Sequence, residues 1–237
     1  MELKKGNING ISFFYREGFS DLKTFEEVLG RKTYLKKGMT IEKGETWMDC
    51  GGNVGAFTLL ACSLGAKVTV YEPDPFNCKM IERNLKLNNF KAEIKQVALV
   101  HDDTKNIKLF IGCSGNVWRN SIVKKWRSKK YVNVKCLNFD KEAEIFDCCK
   151  MDIEGAEMPI LENTKKIFNK LVYEWSFDID ASLPRFWNVV ENQKKQYSDF
   201  VDIGNAARFE TRDYNLWQVK YWFPQCLNVF AFNKTTK

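Results

Sequence analysis

Several features are scarce in this chain of 237 residues. No apolar run approaches the ~20 residues that a membrane-spanning helix requires. Met1 to Gly10 is polar and lysine-containing and lacks the apolar centre of a secretion signal. The chain is therefore expected to stay inside the cell, in the cytoplasm. Histidine occurs once, at His101, and no two of the eight cysteines stand as Cys-x-x-Cys. That excludes a zinc site of mixed Cys and His ligands. Cys50, Cys62, Cys148 and Cys149 lie in apolar runs and read as small, reduced core residues. No repeat, low-complexity tract or Pro/Gly/Ser-rich linker divides the chain. It reads as a helical N-terminal extension over residues 1–45 packed on one domain over residues 46–237.

What remains is ordinary for a globular protein, with 44% hydrophobic and 28% charged residues. The net charge is +7, and much of the excess sits in Lys124-Lys125-Trp126-Arg127-Ser128-Lys129-Lys130. A basic run with an embedded tryptophan suits phosphate on a nucleic acid or a phosphorylated substrate, and equally a solvated face.

Apolar periodicity lays out the elements. Ser20-Asp21 before Leu22, Phe25 and Val28 reads as a capped helix. Thr46–Cys50 is a short buried strand, Ala56–Leu64 a helix closed by Gly65, and Lys67–Tyr71 a strand. Phe76–Leu87 is helical and Glu93–Val100 extended. This alternation argues for a parallel sheet covered on both faces. Ile107–Ile111 and Val132–Phe139 add a pair of strands. Phe146–Met151 and Leu171–Phe177 are strands around a helix over Ala156–Asn169, and Leu183–Tyr197 is an amphipathic helix. Near the end, Trp217, Val219 and Tyr221 followed by Leu227–Phe232 suggest an antiparallel hairpin at the sheet edge.

Three motifs carry chemistry. Asp49-Cys50-Gly51-Gly52-Asn53-Val54-Gly55 lies between a strand and a helix, where a nucleotide-type cofactor meets backbone N–H groups. Its Gly-x-Asn-x-Gly spacing suits a cofactor without a pyrophosphate, and asparagine tolerates the left-handed backbone such turns use. Glu72 ends the next strand, placed to accept from both hydroxyls of a ribose, and Pro73-Asp74-Pro75 fixes the loop after it. Lys150-Met151-Asp152-Ile153-Glu154-Gly155-Ala156-Glu157 begins at the end of a later strand, where open α/β sheets bind ligands. Glu157 also reads as favouring a helix N-terminus.

These residues resemble the FkbM family of methyltransferases. The matching stretches are MDCGGNVGAFT (48–58), VYEPDPFNCKMIERNLKLNN (70–89), QVALV (96–100) and KMDIEGAEMPIL (150–161). REGFSDLKTFEEVL (16–29) and VYEWSF (172–177) extend the likeness to roughly residues 15–232. The glycine turn departs mildly, since the family more often shows Gly-Ala-Asn-x-Gly. The resemblance implies a Rossmann-like class I methyltransferase fold. That fold has a mostly parallel seven-stranded sheet, helices on both faces and an antiparallel C-terminal edge hairpin. It also implies an O-methyltransferase using S-adenosyl-L-methionine on a hydroxyl of a sugar, a glycan or another small acceptor. By position, Gly51, Asn53 and Gly55 would cradle the methionine and ribose portion. Asp49 would orient the loop or meet the amino group, and Glu72 would bind the ribose, with Asp74 beside it. Val97 and Ala98 would flank the adenine.

An alcohol is a poor nucleophile, so a base or a metal should assist. Two arrangements fit. In one, Asp152 or Glu154 accepts the proton directly. In the other, Asp152 and Glu174 hold Mg²⁺ or Mn²⁺, which prefer oxygen ligands. His101 falls near the expected adenine side, away from the methyl. Trp118, Trp126, Trp175 and Trp187 fall where they could overhang the strand ends and pack on a sugar, although core packing explains Trp47 and Trp187 at least as well. The positive charge keeps an RNA ribose 2′-hydroxyl open as acceptor. Met151-Asp152-Ile153-Glu154 argues against base amino-group methylation, whose enzymes carry Asn/Asp-Pro-Pro-Tyr at that position. A non-catalytic nucleotide-binding module is the remaining alternative.

Overall fold

The first element overturns the expectation of a helical extension. In the computed structural model the chain opens with a hairpin, β1 (Leu3–Ile8) and β2 (Ile11–Arg16), paired antiparallel. Its turn is Asn9-Gly10, with φ of 51° and 85°. A two-residue turn that needs positive φ twice favours this dipeptide, and that local demand outweighs the mixed polarity of the flanking residues. The structure describes residues 2–112, 120–123, 130–177, 179, 182–197, 199–201 and 226–233.

A short helix, α1 (Asp21–Phe25), follows and runs into a π turn over Glu26–Gly30. Ser20 makes no side-chain cap. The helix start is held instead by a buried bidentate pair. Arg16 Nε donates to Asp21 Oδ2 at 2.8 Å and Arg16 Nη2 to Asp21 Oδ1 at 2.8 Å.

The domain proper is β3 (Thr46–Cys50), α2 (Ala56–Ser63), β4 (Lys67–Tyr71), α3 (Pro75–Leu87) and β5 (Glu93–Lys95). Next come β6 (Ala98–Val100), β7 (Asn106–Phe110), β8 (Tyr131–Asn138), α4 (Phe139–Ala143), β9 (Cys148–Met151) and α5 (Glu157–Asn163). The chain then continues through β10 (Lys170–Ser176), α6 (Leu183–Gln196), β11 (Asp199–Val201) and β12 (Cys226–Phe232). Seven strands form one sheet in the order β11-β12-β10-β9-β3-β4-β5. All pairs are parallel except β10/β12 and β11/β12. This is the expected Rossmann-like sheet with an antiparallel edge, although the partner of β12 is β11. Trp217, Val219 and Tyr221 lie outside the described residues.

Side chains alternate between two cores. On β3, Trp47 faces the side of α2 and α3, while Met48 and Cys50 face α4–α6. On β10, Val172 takes the first side and Leu171, Tyr173 and Trp175 the second. Both faces are buried, as a parallel sheet between helices requires. Trp175 is fully buried against Phe186, and Trp187 is half-buried in the same cluster. These two tryptophans pack the core and do not overhang the strand ends. Trp118 and Trp126 lie outside the described residues, as do residues 124–129 of the basic run. Cys50, Cys148 and Cys149 are buried free thiols.

Two expected elements are shorter than their apolar patterns. The run Glu93–Val100 breaks after Lys95, where the Val97 N–H turns back to the Lys95 carbonyl at 2.9 Å. β5 stays in the main sheet, and β6 joins a second, three-stranded sheet ordered β6-β8-β7. The helix expected to reach Asn169 ends at Asn163, because Thr164 is extended (φ −65°, ψ 140°). Among the described residues, no helix is long and apolar enough to cross a membrane.

The winding reverses between β3 and β9. From β3 the strands β4 and β5 lead one way, and from β9 the strand β10 leads the other. A crevice opens outside the carboxyl ends of strands at such a point. The first and third motifs both end there.

Candidate functional site

The two motifs are pressed against each other. The Asp152 N–H donates to the Cys50 carbonyl at 3.0 Å. Gly51 has φ of 83°, and a Cβ there would lie 1.8 Å from the Asp152 carbonyl oxygen. Only glycine permits that crossing. Beneath it, the buried Lys150 Nζ donates to the Gly51 carbonyl at 2.7 Å and pairs with Asp49 Oδ1 at 3.2 Å. Thr58 Oγ1 donates to Asp49 Oδ2 at 2.6 Å. Burial works against the Lys150 charge, but the carboxylates of Asp49 and Asp152 outweigh it and hold its pKa above the ordinary value.

Above this floor is a cavity of about 310 Å³. At one end it is lined by Gly51, Asn53, Glu72, Asn77, Val97 and Ala98. Asn53 adopts the left-handed backbone (φ 49°), and its N–H donates to Glu72 Oε2 at 2.7 Å. The Asp74 N–H donates to Glu72 Oε1 at 2.8 Å. The Asn77 side chain also favours the Glu72 carboxylate, which still keeps acceptor capacity for a ligand. Burial pushes the Glu72 carboxyl up to about 7, against the pull of those two N–H groups. Asn53 Oδ1 is buried without a hydrogen-bond partner. Asn77, which lines the wall beside Glu72, accepts from Arg16 Nη2 at 2.9 Å, so the hairpin is tied to this end.

The other end gathers acids. Asp152, Glu154 and Glu174 all line the cavity, with Tyr34, Glu27 and Thr24 from the N-terminal segment. Tyr34 Oη donates to Asp152 Oδ2 at 2.7 Å, while Asp152 Oδ1 is buried without a partner. Burial first, then the charges of Asp152 and Glu174, push the Tyr34 phenol well above its ordinary pKa, so it is a neutral donor. Glu154 follows the crossing with φ of 53°, and its carbonyl accepts from Ser121 Oγ at 2.6 Å. Glu157 is fully buried and accepts from the Gly155 N–H at 2.7 Å, as an acid in a first helical turn does. Burial and then Asp152 raise its pKa strongly. Among the described residues, no group of three His, Cys, Asp or Glu comes together to hold a metal.

Three residues expected to touch a cofactor do not line the cavity. Asp49 is sealed beneath the floor by Lys150 and Thr58, where it holds the loop. Gly55 precedes α2 with φ of 89° and packs on Ile81. Asp74 caps α3 through the Phe76 N–H at 2.8 Å and accepts from Asn120 Nδ2 at 2.8 Å, so Asn120 lines the cavity in its place. His101 is exposed after β6 and takes no part. Tyr34, Asn77 and Asn120 stand outside the expected site residues, and Lys150, which opens the third motif, supplies the buried cation beneath it.

Comparisons with known proteins follow this geometry. A tRNA (uracil-54, C5)-methyltransferase of Pyrococcus abyssi, solved with S-adenosyl-L-homocysteine, is 14% identical with a TM-score of 0.48; the match covers 97% of this chain and 44% of that one. This chain therefore spans less than half the length of that enzyme. TYW2 of P. horikoshii, solved with MeSAdo, is 12% identical over 97% of this chain and 69% of that one, with a TM-score of 0.48. A chain of a fibrillarin/Nop5p complex is 11% identical over 97% of both chains, with a TM-score of 0.50. At such identity the last of these speaks for the fold alone. No curated protein matches the chain significantly in sequence. The model of the methyltransferase FkbM domain matches residues 49–203, well over half of the chain. The chain belongs to the FkbM methyltransferase family.

Proposed function

We propose that the chain is an S-adenosyl-L-methionine-dependent O-methyltransferase acting on a hydroxyl of a sugar or glycan. The observation that carries this reading is Asp152, a carboxylate on the cavity wall with one oxygen held by Tyr34 and the other buried without a partner. The cofactor fits the other end: Glu72 has acceptor capacity for two ribose hydroxyls, Asn53 Oδ1 has none of its bonds made, and Val97 and Ala98 offer an apolar face. Gly51 leaves the cradle open between these ends.

When bound, S-adenosyl-L-methionine supplies the methyl group, and its sulfur leaves as a neutral thioether. Asp152 accepts the acceptor's hydroxyl proton on Oδ1 as the new carbon–oxygen bond forms. A base placed in this way contributes about 10²–10⁴ in rate. Glu154 and Glu174 line the acceptor side and serve to orient hydroxyls. Asp152 and Glu174 share the cavity, but the donor set for a cation is incomplete among the described residues, and no step here runs through Mg²⁺ or Mn²⁺. Hydroxyls of Thr24, Thr33 and Ser176 on the same wall suit a polyhydroxylated acceptor.

The test is calorimetry with S-adenosyl-L-methionine and with NAD. It is followed by a screen of labelled methyl transfer to methyl glycosides and oligosaccharides, with and without chelator. Binding of the sulfonium and transfer that survives chelator are expected. NAD binding without sulfonium binding would overturn the assignment. The net charge of +7 favours a second reading, an RNA 2′-hydroxyl acceptor. Salt-sensitive RNA retention with no glycan turnover would select it.

A further inference from the structure

Tyr34 comes from outside every motif, 118 residues away from Asp152, yet it makes the hydrogen bond that fixes this carboxylate. Its placement is specific. The ring is buried, meets Phe57 edge-on at 5.8 Å and 86°, and lies under Lys150 Nζ at 5.4 Å. Trp47 packs behind Phe57 at 5.4 Å, so the phenol is aimed by core packing.

Resting on the reading of Asp152 as proton acceptor, we propose that Tyr34 is a positioning residue. By donating to Oδ2, it holds the carboxylate so that Oδ1 is the oxygen offered to the acceptor hydroxyl. Tyr34 does not itself take the proton, since carboxylates surround it and it stays neutral. The N-terminal segment is then part of the active site and not an accessory to it. Other charges act on this pair from every neighbouring element. Lys150 lies on β9 just before Asp152, and Asp49 acts from β3, Glu157 from α5, Glu174 from β10 and Glu27 from the π turn. None of these is altered in the variants below.

The test is Tyr34→Phe, which keeps the ring and removes one oxygen. Affinity for S-adenosyl-L-methionine, read by calorimetry, is expected to stay at the wild-type level. Methyl transfer to the best methyl glycoside of the screen is expected to fall about tenfold in kcat. With ¹³C-carboxyl aspartate incorporated in the full chain, the resonance absent from Asp152→Asn is expected to move in Tyr34→Phe. In the Asp152→Asn background, adding Tyr34→Phe should cost nothing further, because Tyr34 acts through Asp152. 3-Fluorotyrosine at position 34, which keeps and strengthens the donor, should move the same resonance while kcat stays near the wild-type value, which keeps the idea testable if Tyr34→Phe folds poorly. An unmoved carboxyl resonance, or an equal loss in both backgrounds, overturns the proposal. Full activity of Asp152→Asn instead sinks the reading beneath it, and does so whatever Tyr34→Phe shows.

Discussion

The two ends of the cavity are built differently. At the cofactor end, the Glu72 oxygens are fixed by the Asn53 and Asp74 N–H groups, all within one strand–turn–helix stretch of chain. At the end proposed for the acceptor, Asp152 is held by Tyr34 and shares the cavity with Glu174, and these three come from three distant segments. A local arrangement of this kind preserves one ligand. An assembled one can be altered from one side while the other stays intact.

The largest expected effect is at the acceptor end. Asp152→Asn should lower kcat by about 10²–10⁴ while leaving cofactor affinity nearly unchanged, as read by labelled transfer beside calorimetry. Retained turnover would abolish the contrast drawn between the ends.

Lys150→Met strikes the floor shared by both. It leaves Asp49 charged and buried without its cation, and should cost about 3–5 kcal/mol in denaturant unfolding. The double change Asp49→Asn with Lys150→Met should recover much of that loss. An unshifted unfolding midpoint for the single variant would show that the pair does not hold the floor.

Glu72→Gln sharpens the cofactor side. Loss of charge-assisted bonds to two hydroxyls should weaken S-adenosyl-L-methionine by about 1.5–3 kcal/mol, with kcat at saturation little changed. Because Glu72 titrates near about 7, it is partly protonated at pH 6 and ionised at pH 8. Wild-type affinity should therefore rise across that window, and the Gln variant should be flat. In the free protein the sign is opposite. Glu72's contribution to stability is fully present below the ordinary carboxylate range and is lost as pH climbs through about 7.

The smallest effect concerns the tie between the hairpin and the glycine turn. Asn84 accepts from the Phe14 N–H at 2.7 Å and donates to the Val54 carbonyl at 3.1 Å. Asn84→Ala should lower stability by about 1–3 kcal/mol in thermal unfolding. An unchanged melting temperature would mean that the hairpin is held elsewhere.

The same contrast decides what the sequence makes visible. The strand–turn–helix grammar from Thr46 to Leu87 is local, so Gly51, Asn53 and Glu72 stand at their expected places on the cavity wall. Asp49 and Asp74 carry the right charge in the right stretch, but their burial under Lys150 and their capping of α3 depend on neighbours that spacing does not encode. Asn9-Gly10 carries the hairpin's local mark, a two-residue turn with φ positive twice, although the polarity on either side of it is mixed. The break at Val97 arises because β6 finds β8 as a partner, with Ala98 paired to Cys136, a separation that no short window contains. Tyr34 has no local mark at all, since its place is set by Phe57 and Asp152.

The crossing at Gly51 has a further consequence. With the Gly51 backbone lodged against the Asp152 carbonyl, the methyl-donor turn and the acid share one rigid piece of main chain. On the reading proposed above, the distance between donor and base is inherited as a unit, whatever alcohol arrives. On that reading, divergence toward new acceptors is channelled into Thr24 and Glu27 of the N-terminal segment, while Tyr34 keeps its bond to Asp152.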